Sequence, residues 1–181
     1  MAKRLSTWFG IASFVVVCAG CGSSGSSSTG VTTAAATTAT TANARLTSAQ
    51  WAEYTSSRAA LRKANAVATA TLSKCSAGAS VQQPKRTQAC VGNTFTELTH
   101  AAGDSLATLK GFAGTVSGAC ATALAQLTNQ VGTFQASAAQ MQRTIDSPTL
   151  AGYPAASNTL ELALNGGRTE AKKFDAQCAP L

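Results

Sequence analysis

The chain has 181 residues, of which 45% are hydrophobic and 12% charged, and its formal net charge is +7. Its 14 basic residues are scattered and do not alternate with aromatic residues, so the sequence predicts no surface for nucleic acid. A single histidine and seven dispersed acidic residues provide neither a metal-ligand cluster nor paired carboxylates. We therefore expect no metal, no cofactor and no catalytic residues.

The first 20 residues have the pattern of a secretory signal peptide. Lys3 and Arg4 precede an apolar run from Trp8 that ends in the small residues Ala19 and Gly20. This run of 13 residues is too short to cross a hydrocarbon core of about 30 Å as a helix. We therefore predict that residues 1–20 direct export of the chain and are removed.

The residues at the end of this segment, Cys18-Ala19-Gly20-Cys21, resemble the lipobox of bacterial lipoproteins, with Cys18 where the family has Leu. The resemblance implies cleavage before Cys21, acylation of Cys21 with palmitate or a similar chain, and a membrane anchor on the extracytoplasmic side of the cell envelope, or periplasm. The alternative is plain secretion after cleavage behind Ala19. Cysteine parity favours the lipoprotein, because setting aside Cys18 and Cys21 leaves four of the six cysteines for disulfides. No specific family is recognised for the mature domain.

Residues 21–45 are predicted to form a disordered tether after the lipidated cysteine. The segment is rich in Gly and Ser, then in Thr and Ala, and Val31 is its one large apolar residue before Asn43. Such a composition buries too little apolar surface to fold, and a coil of this length reaches roughly 25 Å. Residues 46–181 then make up one domain.

Four amphipathic helices are predicted in residues 46–181, and no alternating strand pattern competes with them. Helix one begins at a capping box of Thr47 and Gln50, flanked by Leu46 and Trp51, and ends near Ala77-Gly78. A connector over 81–86 leads to helix two, which begins near Thr87; helix three ends at Ser147-Pro148, and helix four opens at Pro154. The apolar positions recur every three to four residues at Trp51, Tyr54, Leu61, Ala68, Leu72 and Cys75; at Val91, Phe95, Leu98, Ala102, Leu109, Phe112 and Val116, with Ser105 among them; at Cys120, Leu124, Leu127, Val131, Phe134, Ala138, Met141 and Ile145; and at Leu160, Leu164, Gly167, Ala171, Phe174 and Cys178.

Short connectors between long helices favour an up-down-up-down four-helix bundle with a filled core. In this topology Cys75 and Cys90 lie at one end of the bundle, while Cys120 and Cys178 lie at the other. We therefore predict the disulfides Cys75–Cys90 and Cys120–Cys178.

Two polar residues, Arg58 and Asn65, occupy inward positions of helix one, seven residues apart. One interpretation is that they lie at a wet edge or fix the register of the helices, as polar core residues can. The other is that they line a polar pocket for a small anionic ligand, with Tyr54 and Ser105 as neighbours.

These patterns predict a membrane-anchored envelope lipoprotein that acts as a non-catalytic binding or structural module. The expected partners are the membrane, through the anchor, and an envelope polymer or protein. Without Lys3 and Arg4, 12 basic residues remain against 7 acidic ones, a mild positive charge that favours an anionic polymer. The first alternative is a carrier of a small ligand that uses Tyr54, Arg58 and Asn65. An enzyme is the second alternative; it is disfavoured because His100 is predicted to face outward from helix two.

Overall fold

The computed structural model of the protein describes residues 44–76 and 84–181. The predicted signal peptide, Cys21 and nearly all of the predicted tether lie outside these residues. The described part contains the α-helices α1 (Ser48–Ser76), α2 (Pro84–Val91), α3 (Thr94–Gly111), α4 (Gly118–Asp146) and α5 (Tyr153–Cys178) and no strand. The predicted all-α class is therefore confirmed.

The start of α1 follows the predicted capping box. The backbone N–H of Thr47 donates to Oε1 of Gln50 at 3.0 Å, and the N–H of Gln50 donates to Oγ1 of Thr47 at 3.2 Å. Leu46 is buried just before the helix, and Trp51 packs against the core cluster that contains Leu46. The two hydrogen bonds between Thr47 and Gln50 satisfy N–H groups that the first turn of a helix leaves without partners.

The predicted helix two is in fact two helices, α2 and α3. Pro84 to Arg86, predicted as part of a connector, form the first turn of α2, a position that proline favours. The helix then breaks at Gly92-Asn93, where Gly92 has a φ of +52°, a conformation that glycine adopts at little cost. The single long helix was therefore wrong, although its apolar positions were correct.

The side chain of Gln142 on α4 stabilises this break. Its Oε1 accepts the backbone N–H of Phe95 at 3.1 Å and of Thr96 at 3.2 Å, and its Nε2 donates to the carbonyl of Gly92 at 3.0 Å. Gln142 is itself buried. It therefore provides hydrogen-bond partners for the start of α3 from a helix nearly 50 residues away in sequence.

The apolar positions predicted for the second and third helices are all buried, and they form most of the core. This set comprises Val91, Phe95, Leu98, Ala102, Ser105, Leu109, Phe112, Val116, Cys120, Leu124, Leu127, Val131, Phe134, Ala138, Met141 and Ile145. The 3-to-4 periodicity thus identified the buried faces of α3 and α4.

The buried face of α5 differs from the prediction in its first half. Ala171, Phe174 and Cys178 are buried as expected, but Leu160, Leu164 and Gly167 are only half-buried. Ala163 is buried instead, and the carbonyl of Ala163 accepts a hydrogen bond from Gln130 of α4 at 3.0 Å. The first half of α5 is therefore rotated relative to the prediction, and one edge of its apolar stripe faces a groove between α1 and α5.

In the helical bundle, α4 packs against both α3 and α5, α1 packs against α3, and α2 packs against α1 and α4. The structure contains the two predicted disulfides: Cys75–Cys90 joins the end of α1 to α2, and Cys120–Cys178 joins the start of α4 to the end of α5. The N–H of Leu46 donates to the carbonyl of Cys178 at 3.2 Å, which brings the start of α1 to the end of α5. Within the described residues, no helix is long and apolar enough to cross a membrane.

Candidate functional site

A groove of about 590 Å³ lies between α1 and α5, on top of α3 and α4. The core residues beneath the groove are buried, so the filled core that the sequence predicts ends at an open side between these two helices. Small residues contribute to this opening: Ala66 and Ala70 line the α1 wall, and Ala163, Gly167 and Ala171 line the α5 wall. Side chains this small do not reach across to the opposite helix, so the space between the walls stays open.

The floor of the groove is apolar. Leu109 of α3 and Leu127, Val131 and Phe134 of α4 are buried core residues that also line the groove. Leu61 of α1 lines one wall and packs against the core cluster that contains Phe134. A ligand in the groove would therefore contact mainly apolar side chains, as ligands do in most small-molecule pockets.

One end of the groove is closed by a polar network of Tyr54, Arg58 and Asp175. Nη1 of Arg58 lies 2.6 Å from Oδ2 of Asp175, and the hydroxyl of Tyr54 donates to Oδ1 of Asp175 at 2.9 Å. Arg58 also donates to the Tyr54 hydroxyl at 3.3 Å, and its guanidinium lies 5.8 Å from the centroid of the Tyr54 ring. The network links α1 to α5 at the end of the bundle where α1 begins and α5 ends.

The ionisation of this network follows from its partial burial. Burial of Tyr54, followed by its hydrogen bond to Asp175, raises the pKa of the phenol well above its ordinary value of 10.0. Burial lowers the pKa of the Arg58 guanidinium, but its hydrogen bond to Asp175 and its electrostatic interactions with Tyr54 and Asp175 outweigh this effect and raise the pKa overall. Tyr54 is therefore a neutral donor and Arg58 a permanent cation at physiological pH.

The charged groups that line the groove are all positive. Arg58, Arg62 and Arg168 are among the described residues that line it, and no aspartate or glutamate is. The charge of Arg58 is neutralised by Asp175, whereas Arg62 and Arg168 form no ion pair within the described residues. Arg168 makes one long hydrogen bond, 3.5 Å, to Oδ1 of Asn165. The groove therefore combines an apolar floor with two uncompensated cations at its rim.

The structure brings the predicted ligand-binding residues together. Tyr54, Arg58 and Asn65 all line the groove, and Ser105 lines it from α3. Their role in binding a ligand stays a prediction. Sequence reasoning missed Asp175, although this residue follows directly after the predicted core residue Phe174.

His100, the histidine considered in the enzyme alternative, lies away from the groove. It is exposed on α3, as is Asp104 four residues later, and neither residue lines the groove. In the described ranges, no three or more His, Cys, Asp or Glu side chains cluster closely enough to hold a metal ion. Met141 is fully buried in the core.

Comparisons with known proteins found no matching family model, no matching curated protein and no matching solved structure.

Proposed function

We propose that this protein is a lipid-anchored carrier of the cell envelope that binds a small molecule, without catalysis, in the groove between α1 and α5. The observation that carries the proposal is the groove itself, because its volume of about 590 Å³ falls within the roughly 300–1,000 Å³ typical of ligand pockets. Of the functions that the sequence predicts, the carrier explains this groove directly, whereas a structural module does not need one.

The proposed architecture is an up-down-up-down bundle of α1, α3, α4 and α5, with α2 as a short additional helix. Three contacts support it: the disulfide between the start of α4 and the end of α5, the hydrogen bond from Leu46 to Cys178, and the hydrogen bonds between Gln142 and the start of α3. Each of them joins the beginning of one helix to the end of another, as antiparallel neighbours require.

A non-catalytic role fits the chemistry of the groove. Within the described part of the chain, its polar lining consists of arginine, asparagine, serine, threonine and tyrosine side chains. These groups form hydrogen bonds and ion pairs with a ligand, and the raised pKa of Tyr54 makes its phenol a weaker acid than an ordinary tyrosine. Such groups are suited to holding a ligand rather than to general acid–base catalysis.

The anchor in this proposal is Cys21, which rests on the sequence alone. Two or more acyl chains on one cysteine bind a membrane stably, whereas a single chain binds only marginally. In cells that express Cys21→Ala, we expect the protein to move from the membrane fraction to the soluble fraction. If the variant still sediments with membranes after a high-salt wash, the lipid anchor is wrong, while the groove is unaffected.

Native mass spectrometry of the whole chain tests the carrier. The chain is produced with Cys21→Ser, so that no acyl group is attached, and it is kept free of detergent. We expect an additional mass that is lost in Ala66→Phe, since Ala66 is an exposed residue that lines the groove. Ala59→Phe is the matched control, because Ala59 is exposed on the same helix outside the groove. A mass retained in both variants, or absent from the parent chain, would contradict a carrier.

A further inference from the structure

We infer that the occupant of the groove is a single-chain amphiphile with an anionic head group, and that Arg62 and Arg168 bind that head group. This inference rests on the proposed carrier function and names its ligand class. It is carried by two features of the groove: the separation of an apolar floor from a cationic rim, and the position of the two arginines on opposite walls.

The shape of the groove suits an extended chain. On α1 its lining runs from Tyr54 to Ser73, about 28 Å at 1.5 Å per residue, and on α5 it runs from Ala163 to Ala171, about 12 Å. The floor beneath it consists of Ser105 and Leu109 of α3 and of Leu127, Val131 and Phe134 of α4, so it is apolar apart from one serine. A compact polar solute would leave most of this floor without contact, whereas each methylene group that a chain buries there adds to its affinity.

Arg62 of α1 and Arg168 of α5 line opposite walls of the groove. Arg62 lies one turn beyond Arg58 on α1, and Arg168 lies about two turns before Asp175 on α5. Since the two helices run in opposite directions and Arg58 contacts Asp175, Arg62 and Arg168 are within about one helical turn of being directly opposite. Both line the same groove from opposite walls, which is the arrangement that the proposed head-group site requires.

The chemistry of the head group follows from this pair. A guanidinium presents a rigid set of N–H donors that fits the oxygens of a carboxylate or a phosphate. The described residues that line the groove include no carboxylate to compete for these donors. Arg58 is held by Asp175 and by Tyr54, so it closes the end of the groove and leaves the head group to the other two arginines.

Competition binding tests the inference on the whole chain with Cys21→Ser. A fluorescent fatty acid serves as the probe, and the competitors are dodecanoate, dodecyl phosphate, dodecanol and dodecyltrimethylammonium, each below its micelle concentration, together with inorganic phosphate. We expect dodecanoate or dodecyl phosphate to compete about tenfold better than dodecanol, since a charged hydrogen-bonded pair contributes an effect of this size. The better of the two anions identifies the head group, and inorganic phosphate alone should not displace the probe.

The double variant Arg62→Gln/Arg168→Gln should remove the preference for the anions and leave the affinity for dodecanol unchanged. Lys110→Gln/Arg143→Gln is the control, because it changes the net charge equally at exposed sites outside the groove. If dodecanol competes as well as the anions with the parent chain, or if the control loses the preference equally, the head-group inference is wrong and the carrier stands. If inorganic phosphate competes as well as the chains, the amphiphile is wrong. If the fatty-acid probe does not bind at all, the amphiphile is also wrong, whereas the carrier fails only if native mass spectrometry of the parent chain shows no additional mass.

Discussion

Replacing Asp175 with asparagine should strengthen the binding of an anionic amphiphile, although it removes an ion pair. Asp175 neutralises Arg58 at a distance of 2.6 Å. Asparagine is nearly the same size and keeps an oxygen that accepts the hydrogen bond from Tyr54. The substitution therefore leaves Arg58 in the wall of the groove with an unbalanced positive charge.

The magnitude follows from the spacing of the helix. A head group between Arg62 and Arg168 is about one and a half turns, or about 8 Å, from Arg58. At this distance and an effective dielectric constant near 20, one added charge attracts an anion by about 2 kcal/mol before salt screening. Screening by roughly half leaves about 1 kcal/mol, which tightens binding about fivefold.

The assay is the same displacement experiment, with dodecanoate and dodecanol as competitors. We expect Asp175→Asn to bind dodecanoate about fivefold more tightly and dodecanol equally well, because the electrostatic term acts on the anion alone. The side chains of the pair are 27% and 33% exposed, so its loss should lower the free energy of unfolding by only about 1 kcal/mol. Glu161→Gln, an exposed site on the same helix, is the control with the same change in charge.

The direction of this effect separates electrostatics from damage to the fold. A distorted groove binds both competitors more weakly, whereas a gain in charge strengthens the binding of the anion alone. If Asp175→Asn weakens dodecanoate and dodecanol alike, or leaves dodecanoate unchanged, the electrostatic reasoning about the groove is refuted.

Three further predictions concern the scaffold, and urea unfolding measures each of them. Gln142→Met should lower the free energy of unfolding by about 2 kcal/mol because it leaves the buried N–H of Phe95 without a partner; a loss as small as that in the exposed control Gln140→Met would refute this role. Because the pKa of Tyr54 is raised in the folded state, the stabilising effect of this side chain is complete below pH 10 and declines as the pH rises further. Tyr54→Phe should therefore reduce the loss of stability at alkaline pH, and an unchanged loss would contradict the link between this pKa and stability. Reducing the disulfides, which close loops of 15 and 58 residues, should cost about 3 to 4 kcal/mol each; a total loss below about 2 kcal/mol would refute the loop-entropy estimate.

The sequence predicted those parts of the fold that depend on local periodicity. The buried face of α4 is correct at every predicted position, from Cys120 to Ile145, because a helix packed on both sides keeps one apolar stripe facing the core. The disulfide pairing was predictable for a related reason: once helix lengths are known, antiparallel packing fixes which ends meet.

The features that the sequence did not predict depend on partners that are distant along the chain. The break between α2 and α3 is held by Gln142, whose side chain gives no local signal at Gly92. The groove was not predicted because residues such as Ala163 and Gly167 have the same spacing along a helix whether or not a neighbouring helix covers them. Whether they are covered depends on the distance between α1 and α5, and the sequence of one helix alone does not determine that distance.

The two disulfides explain how the bundle tolerates an open side. A groove lined by Leu, Val and Phe forgoes part of the apolar burial that a closed bundle would gain. Cys120–Cys178 lies near the closed end of the groove, and Cys75–Cys90 lies beyond its other end, just after Ser73. Because both cross-links restrict the unfolded chain, they stabilise the fold without filling the space between α1 and α5. Stability and an open groove are therefore compatible in this domain, since cross-links at its ends compensate for the packing that the open side leaves out.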